Sequence, residues 1–191
     1  MKKTVGVLAL QGDFEAHQRA LQRAGAEGVQ VRTAEELARV QGLIIPGGES
    51  STMLKLLDET GLTQPLREFA ASKPVFGTCA GAILVAKEVS NPAQDALGVM
   101  DIGVERNAYG RQLDSRIVDL EPEGIAGGNL EAVFIRAPII RRVGEGARVL
   151  ARYNGDPVLV EQGRHLAATF HPELTQDSRI HELFLSKIEP A

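Results

Sequence analysis

The sequence predicts an α/β fold: a doubly wound, mostly parallel sheet flanked by helices, with an antiparallel strand extension. Short apolar runs alternate with helix-patterned segments through the first half, and that rhythm requires crossover connections between parallel strands. After Asn91-Pro92 the texture becomes strand-rich. A length of 191 residues with 43% hydrophobic content suffices for the core of one α/β domain.

Each element has its own signal. Residues 4–10 are nearly all apolar, as in a strand covered on both faces. Gly12 ends that run, and a helix is expected over 13–24, with Phe14, Ala20, Leu21 and Ala24 at helical spacing. A second strand at 29–31, a short helix at 34–39 and a third strand at 42–45 follow, the last stopped by Pro46-Gly47-Gly48. Ser50 or Ser51 is the expected cap of a helix running to about 59, with Gly61 as its stop. Next come a helix at 65–71, a strand at 74–78 and a helix at 80–88. The second half reads as strands at 99–106, 112–120, 130–136, 149–153, 157–162 and 165–170, with Asn154-Gly155 as a hairpin turn. A helix over 177–187 closes the chain, placing Ile180, Leu183, Phe184 and Ile188 on one face. No repeat or linker interrupts this series, so residues 1–191 are expected to form a single domain.

Composition removes several classes of function. A net charge of −4, with basic residues only in isolated pairs such as Lys2-Lys3 and Arg141-Arg142, gives no footprint for nucleic acid. One cysteine rules out an intrachain disulfide. No apolar run reaches the ~18–20 residues of a membrane span. The first apolar stretch ends too soon for a signal sequence, and a cytoplasmic location is expected.

The sharpest chemical signal is Gly77-Thr78-Cys79-Ala80-Gly81, at a strand-to-helix junction. It has the form of a nucleophile elbow with cysteine in place of serine. A sharp turn there leaves no room for side chains two residues either side, and a helix N-terminus favours the thiolate. The Ala80 N–H then points where a tetrahedral oxyanion would form. A free cysteine on its own is more often a buried apolar residue; the flanking glycines reverse that preference. A thiol needs a base and the base an orienter. Phe170-His171-Pro172-Glu173, at the end of the last strand, supplies His171 and Glu173. His17, His165 and His181 are set aside as solvated or hydrogen-bonded structural residues, and neither metal-ligand spacing nor a cofactor motif is present. The third segment is Pro46-Gly47-Gly48-Glu49-Ser50-Ser51. It lacks the spacing of a phosphate loop, and makes better sense with the Gly48 N–H as a second oxyanion donor opposite Ala80.

These segments, in this order, resemble the class I (triad) glutamine amidotransferases, and among them the glutaminase subunits of pyridoxal 5'-phosphate synthases. The likeness spans nearly the whole chain: residues 6–12, 43–53, 76–81, 104–112, 134–138 and 170–175 carry it, with the Glu105-Arg106-Asn107 and Ile135-Arg136-Ala137-Pro138 segments as its most specific parts. It departs only at Ala108-Tyr109 and in the Ala93-Gln94-Asp95 loop. The resemblance implies that Cys79 attacks the side-chain amide of L-glutamine to form a thioester, with His171 as base and acid and Glu173 as its orienter. It implies substrate binding by Gly48, Glu49, Ser50, Arg106, Ile135 and Arg136, without deciding which arginine meets the α-carboxylate. It also implies a partner, the pyridoxal 5'-phosphate synthase subunit, which receives the ammonia and orders the oxyanion loop, with Gln11-Gly12 near that coupling region. Three alternatives stay open: a glutaminase serving another synthase, a non-catalytic binding module, and a cysteine peptidase or redox sensor of similar architecture.

Overall fold

A computed structural model of the chain describes residues 1–108 and 115–190. Its chain order begins β1 (Thr4–Leu8), α1 (Phe14–Arg23), β2 (Glu27–Val31), α2 (Ala34–Ala38), β3 (Gly42–Ile45), α3 (Ser50–Glu59), α4 (Thr63–Ser72), β4 (Val75–Thr78) and α5 (Ala80–Val85). It continues with β5 (Ala86–Ser90), β6 (Met100–Glu105), β7 (Arg116–Leu120), β8 (Leu130–Phe134), β9 (Ile139–Val143), β10 (Arg148–Tyr153), β11 (Asp156–Gln162), β12 (His165–Ala168), a 3-10 turn (Pro172–Leu174) and α6 (Arg179–Ser186).

The main sheet has seven strands in the order β10-β11-β12-β4-β3-β1-β2. From β12 to β2 the neighbours pair parallel, and β11 and β10 extend one edge antiparallel. Successive side chains on a strand point to opposite faces, and here both faces are covered. Leu43 and Ile45 join one apolar cluster, with Met53, Leu57 and Leu66 from α3 and α4. Ile44 between them joins the other, with Leu21 of α1 and Ile180 and Phe184 of α6. The two-sided cover is why the first strands read as unbroken apolar runs rather than alternating ones. Asn154 and Gly155 lie at φ 51° and 85° between β10 and β11, the left-handed pair that a two-residue hairpin turn needs.

The structure departs from the sequence reading in three places. The helix expected to reach residue 88 ends at Val85, and Ala86–Ser90 instead pairs parallel with β6. Ile139–Val143 is a further strand, antiparallel to β6, giving a separate sheet in the order β5-β6-β9. The cap of α3 is neither serine: Glu49 folds back so that its carboxylate accepts the N–H of Ser51 at 3.2 Å and of Thr52 at 2.6 Å. Of the strand expected at 112–120, Arg116–Leu120 is found, paired with β8, while 112–114 lie outside the described residues. Tyr109 to Gln112 of the 104–112 motif lie outside them too.

Candidate active site

The C-terminal ends of three neighbouring strands, β3, β4 and β12, converge on one point. β3 leads into Gly47-Gly48, β4 into Cys79, and β12 into His171 through Thr169 and Phe170. In an open parallel sheet this edge is where loops from adjacent strands can reach one ligand.

Cys79 sits between β4 and α5 at φ 51° and ψ −109°, a conformation that side-chain-bearing residues seldom adopt. Its N–H donates to the Ala168 carbonyl at 2.8 Å, tying the elbow to β12. The glycines flanking it are sterically required. A Cβ on Gly77 would run into the Gly81 carbonyl, and one on Gly81 into the Ile45 carbonyl. The thiol is buried, with Sγ 3.8 Å from the Ile135 carbonyl.

His171 is anchored through its backbone N–H, which donates to the Val133 carbonyl at 2.8 Å. The 3-10 turn that follows brings Glu173 back, so that Nδ1 of His171 lies 2.6 Å from Glu173 Oε1. Burial works against a charged His171, but the Cys79 and Glu173 side chains beside it raise it to about 10. Burial alone would likewise raise the Glu173 carboxyl; the His17 and His171 rings beside it hold it below its ordinary value instead. Glu173 takes Nδ1, which leaves Nε2 as the other ring nitrogen. Gly47 packs on this pair: a Cβ there would lie 2.7 Å from His171 Cε1 and 3.3 Å from Cys79 Cβ.

A cavity of about 170 Å³ opens over Cys79, lined by Gly48, Glu49, Ser50, Ala80, Arg106 and Arg136 among others. A larger hollow of about 550 Å³, between Lys2, Glu15, Gln18 and Arg19, is lined by none of Cys79, His171 and Glu173. The loop at the cavity wall is braced from two sides. Gln11 Oε1 accepts the Glu49 N–H at 2.9 Å. Arg106 donates to Ser51 Oγ at 2.6 Å and reaches Glu49 Oε1 at 3.5 Å. Arg106 is thus engaged by the loop itself, whereas Arg136, at φ 46° just past β8, is exposed at the cavity. Ile135 contributes its carbonyl and leaves its side chain partly exposed.

The site also contains residues that the sequence reading set aside. His17 and His181 are fully buried and hydrogen-bonded to each other, and His17 lies 3.4 Å from Glu173 Oε2. Helical spacing marks their faces as inward, but nothing local in the sequence shows what they face. His165 keeps a structural part, accepting the Val75 N–H at 3.2 Å on Nδ1.

This sheet, with an elbow cysteine at the C-terminal edge of its parallel strands, has the architecture of the class I glutamine amidotransferases. The comparisons agree with that class and narrow it. The chain belongs to the SNO glutamine amidotransferase family, whose profile matches residues 7–190. The pyridoxal 5'-phosphate synthase subunit PdxT of Solibacter usitatus is 64% identical over 191 residues, covering 97% of this chain and 100% of its own. A subunit of the same name from Thermus thermophilus is 54% identical, with 97% of each chain covered. A crystal structure of a glutamine amidotransferase superposes with a TM-score of 0.90 at 53% identity, covering 96% of this chain and 98% of that one. The Thermotoga maritima PurLQS structure, at 17% identity and a TM-score of 0.73 over 99% of this chain and 100% of its own, shares the fold alone. Among the described residues no helix is long and apolar enough to cross a membrane.

Proposed function

We propose that the chain hydrolyses L-glutamine to L-glutamate and ammonia, and that it delivers the ammonia to a pyridoxal 5'-phosphate synthase subunit in the cytoplasm. The observation that carries the reading is Cys79 at a cavity sized for a small molecule, with His171 packed beside it across Gly47 and held at Nδ1 by Glu173 at 2.6 Å. The names of the full-length relatives support the choice of partner.

In this reading His171 takes the proton of the Cys79 thiol, and Sγ attacks the carbon of the substrate's side-chain amide. The developing oxyanion is met by the N–H groups of Ala80 and Gly48. His171 gives its proton to the departing nitrogen, ammonia leaves, and a glutamyl thioester remains on Cys79. Water then attacks the thioester with His171 as base, releasing L-glutamate and restoring the thiol. Glu173 orients the imidazole and stabilises its charged form throughout.

Glu49, Ser50 and the Ile135 carbonyl define the walls that seat the substrate. We assign the α-carboxylate to Arg136, because Arg106 already serves the loop through Ser51 and Glu49. The Arg136 guanidinium, with no side-chain partner among the described residues, lies at the cavity and suits a carboxylate, which it can bind by two parallel hydrogen bonds.

The test is to mix the chain with a candidate synthase subunit and follow glutamine consumption together with cofactor formation. Cys79→Ala should abolish both while still binding the synthase, and Arg136→Ala should raise the KM for glutamine by about 10-fold or more. Hydrolysis persisting in a pure Cys79→Ala preparation would show that the nucleophile is elsewhere, and an unchanged KM would move the carboxylate to another residue.

A further inference from the structure

Behind the acid of the proposed triad lies a pair of histidines that the reaction leaves unused. His17 of α1 and His181 of α6 are both 0% exposed, and His17 Nδ1 lies 3.0 Å from His181 Nε2. The other nitrogen of His17 is 3.1 Å from Oγ1 of Thr78, the residue before the nucleophile, and 3.4 Å from Glu173 Oε2. That oxygen is buried and has no hydrogen-bond partner among the described residues. His171 engages only Oε1.

The proton positions follow from what each neighbour can do. An ionised Glu173 only accepts, so a lone pair on His17 Nε2 facing it would repel. The proton therefore belongs on Nε2, and Nδ1 accepts from His181 Nε2–H. This leaves His181 Nδ1 as the unprotonated nitrogen, and that atom is buried without a partner. The reverse arrangement would strand an N–H donor there, which buried sites tolerate least. Burial keeps His17 in its neutral form against the pull of Glu173 and Asp13, and His171 on its other side works in the same direction as burial.

We propose that His17 is a positioning residue for the glutaminase reaction proposed above: its Nε2, hydrogen-bonded with Thr78 Oγ1 and 3.4 Å from the free oxygen of Glu173, restrains the carboxylate where Oε1 stays on His171, while His181 fixes the tautomer. The terminal torsion of a glutamate is broad and soft. A carboxylate held at one oxygen can swing, and a second donor removes that freedom. His17 also spans the two arms of the site, since its Nε2 lies between Thr78, adjacent to the nucleophile, and Glu173.

The discriminating experiment compares His17→Gln, His17→Asn and His17→Leu, each in complex with the synthase subunit. Glutamine places an amide nitrogen near the position of Nε2, and asparagine places its amide near Nδ1. The expected result is that Gln keeps kcat within about threefold, while Asn and Leu lose about 10- to 100-fold in kcat with little change in KM, the scale of a small misplacement of a catalytic group. A residue that merely holds His181 would show the opposite order, with Asn rescuing and Gln failing. Thermal unfolding of each variant separates loss of fold from loss of positioning, and should the Leu variant not fold, the Gln–Asn pair decides. A second readout needs no activity. Nitrogen-15 imidazole spectra of the unmodified chain should show His17 protonated on Nε2 and bare on Nδ1, and the His171 titration midpoint should fall by about one pH unit in His17→Asn. A proton on Nδ1, or an unmoved His171 midpoint, overturns the inference. A wild-type complex that consumes no glutamine would instead remove the proposed reaction, leaving the spectra to judge the role of His17.

Discussion

Cys79 holds its sulfur over the cavity by adopting φ 51° and ψ −109°, a backbone state that costs a non-glycine residue about 1–3 kcal/mol. It persists because Gly77 and Gly81 allow their backbones to close on the turn and because the Cys79 N–H is fixed on Ala168. Cys79→Gly and Cys79→Ala should therefore both be inactive but unequal in stability. The glycine variant relieves the strain, and urea denaturation should find it more stable than the alanine variant by about 1 kcal/mol. Equal midpoints would mean that the elbow stores no backbone strain. The same glycines made Cys79 legible in the sequence, because a sterically crowded turn leaves a local mark. His17 leaves none: its contact with His181 joins positions 164 residues apart, and only the folded helices α1 and α6 bring them together.

At the scale of the element, the loop after β3 shows a local rule being overridden. Short hydroxyl side chains are the usual helix caps, so the serines after Glu49 were the natural reading. Glu49 reaches the same donors with a longer side chain, and it also takes the Thr52 hydroxyl at 2.7 Å and the end of Arg106. Burial raises the Glu49 carboxyl, but the Thr52 and Ser51 hydrogen bonds outweigh it and keep the group ionised to lower pH than usual. Glu49→Ala should thus cost about 1 kcal/mol of stability by urea denaturation and lower glutaminase turnover by loosening Gly48, whereas Ser51→Ala should leave the cap intact. A Glu49→Ala protein as stable as the parent would show that α3 does not depend on this carboxylate. The strands β5 and β9 were illegible for a related reason. Ala86–Ser90 follows a helical stretch with no glycine or proline between, and both strands exist through pairing with β6, a contact that local propensity does not encode.

Across the whole molecule, the alternation of apolar runs and helices revealed a parallel sheet covered on both faces, but strand order and the convergence of β3, β4 and β12 come from tertiary packing. That packing also sets how stability responds to pH. Burial, the largest influence on each, lowers His17 and takes His165 to about 4 and His181 to about 3. Below the ordinary value of 6.5 the unfolded chain binds protons on these rings that the native state refuses, so stability falls as pH drops from 6.5 toward those native values. His171 acts in the opposite sense. Although burial disfavours its charge, Cys79 and Glu173 raise it to about 10, so its contribution is complete below 6.5 and is lost as pH rises toward 10. Glu173 and Asp177, both held below their ordinary values, add to the loss only at the acid end, as pH falls through their native values. Stability should consequently peak near pH 6.5. By pH 5 the refusal of one proton at buried His181 should cost about 2 kcal/mol, with His17 adding in the same direction and half-exposed His165 adding less. Urea denaturation at pH 5, 6.5 and 8 checks the sign on both sides of the peak. His181→Gln keeps a donor toward His17 but cannot titrate, so it should flatten the acid side. A parent protein equally stable at pH 5 and 6.5 would mean that these rings take up protons inside the fold, and that the neutral pair behind Glu173 does not exist as drawn.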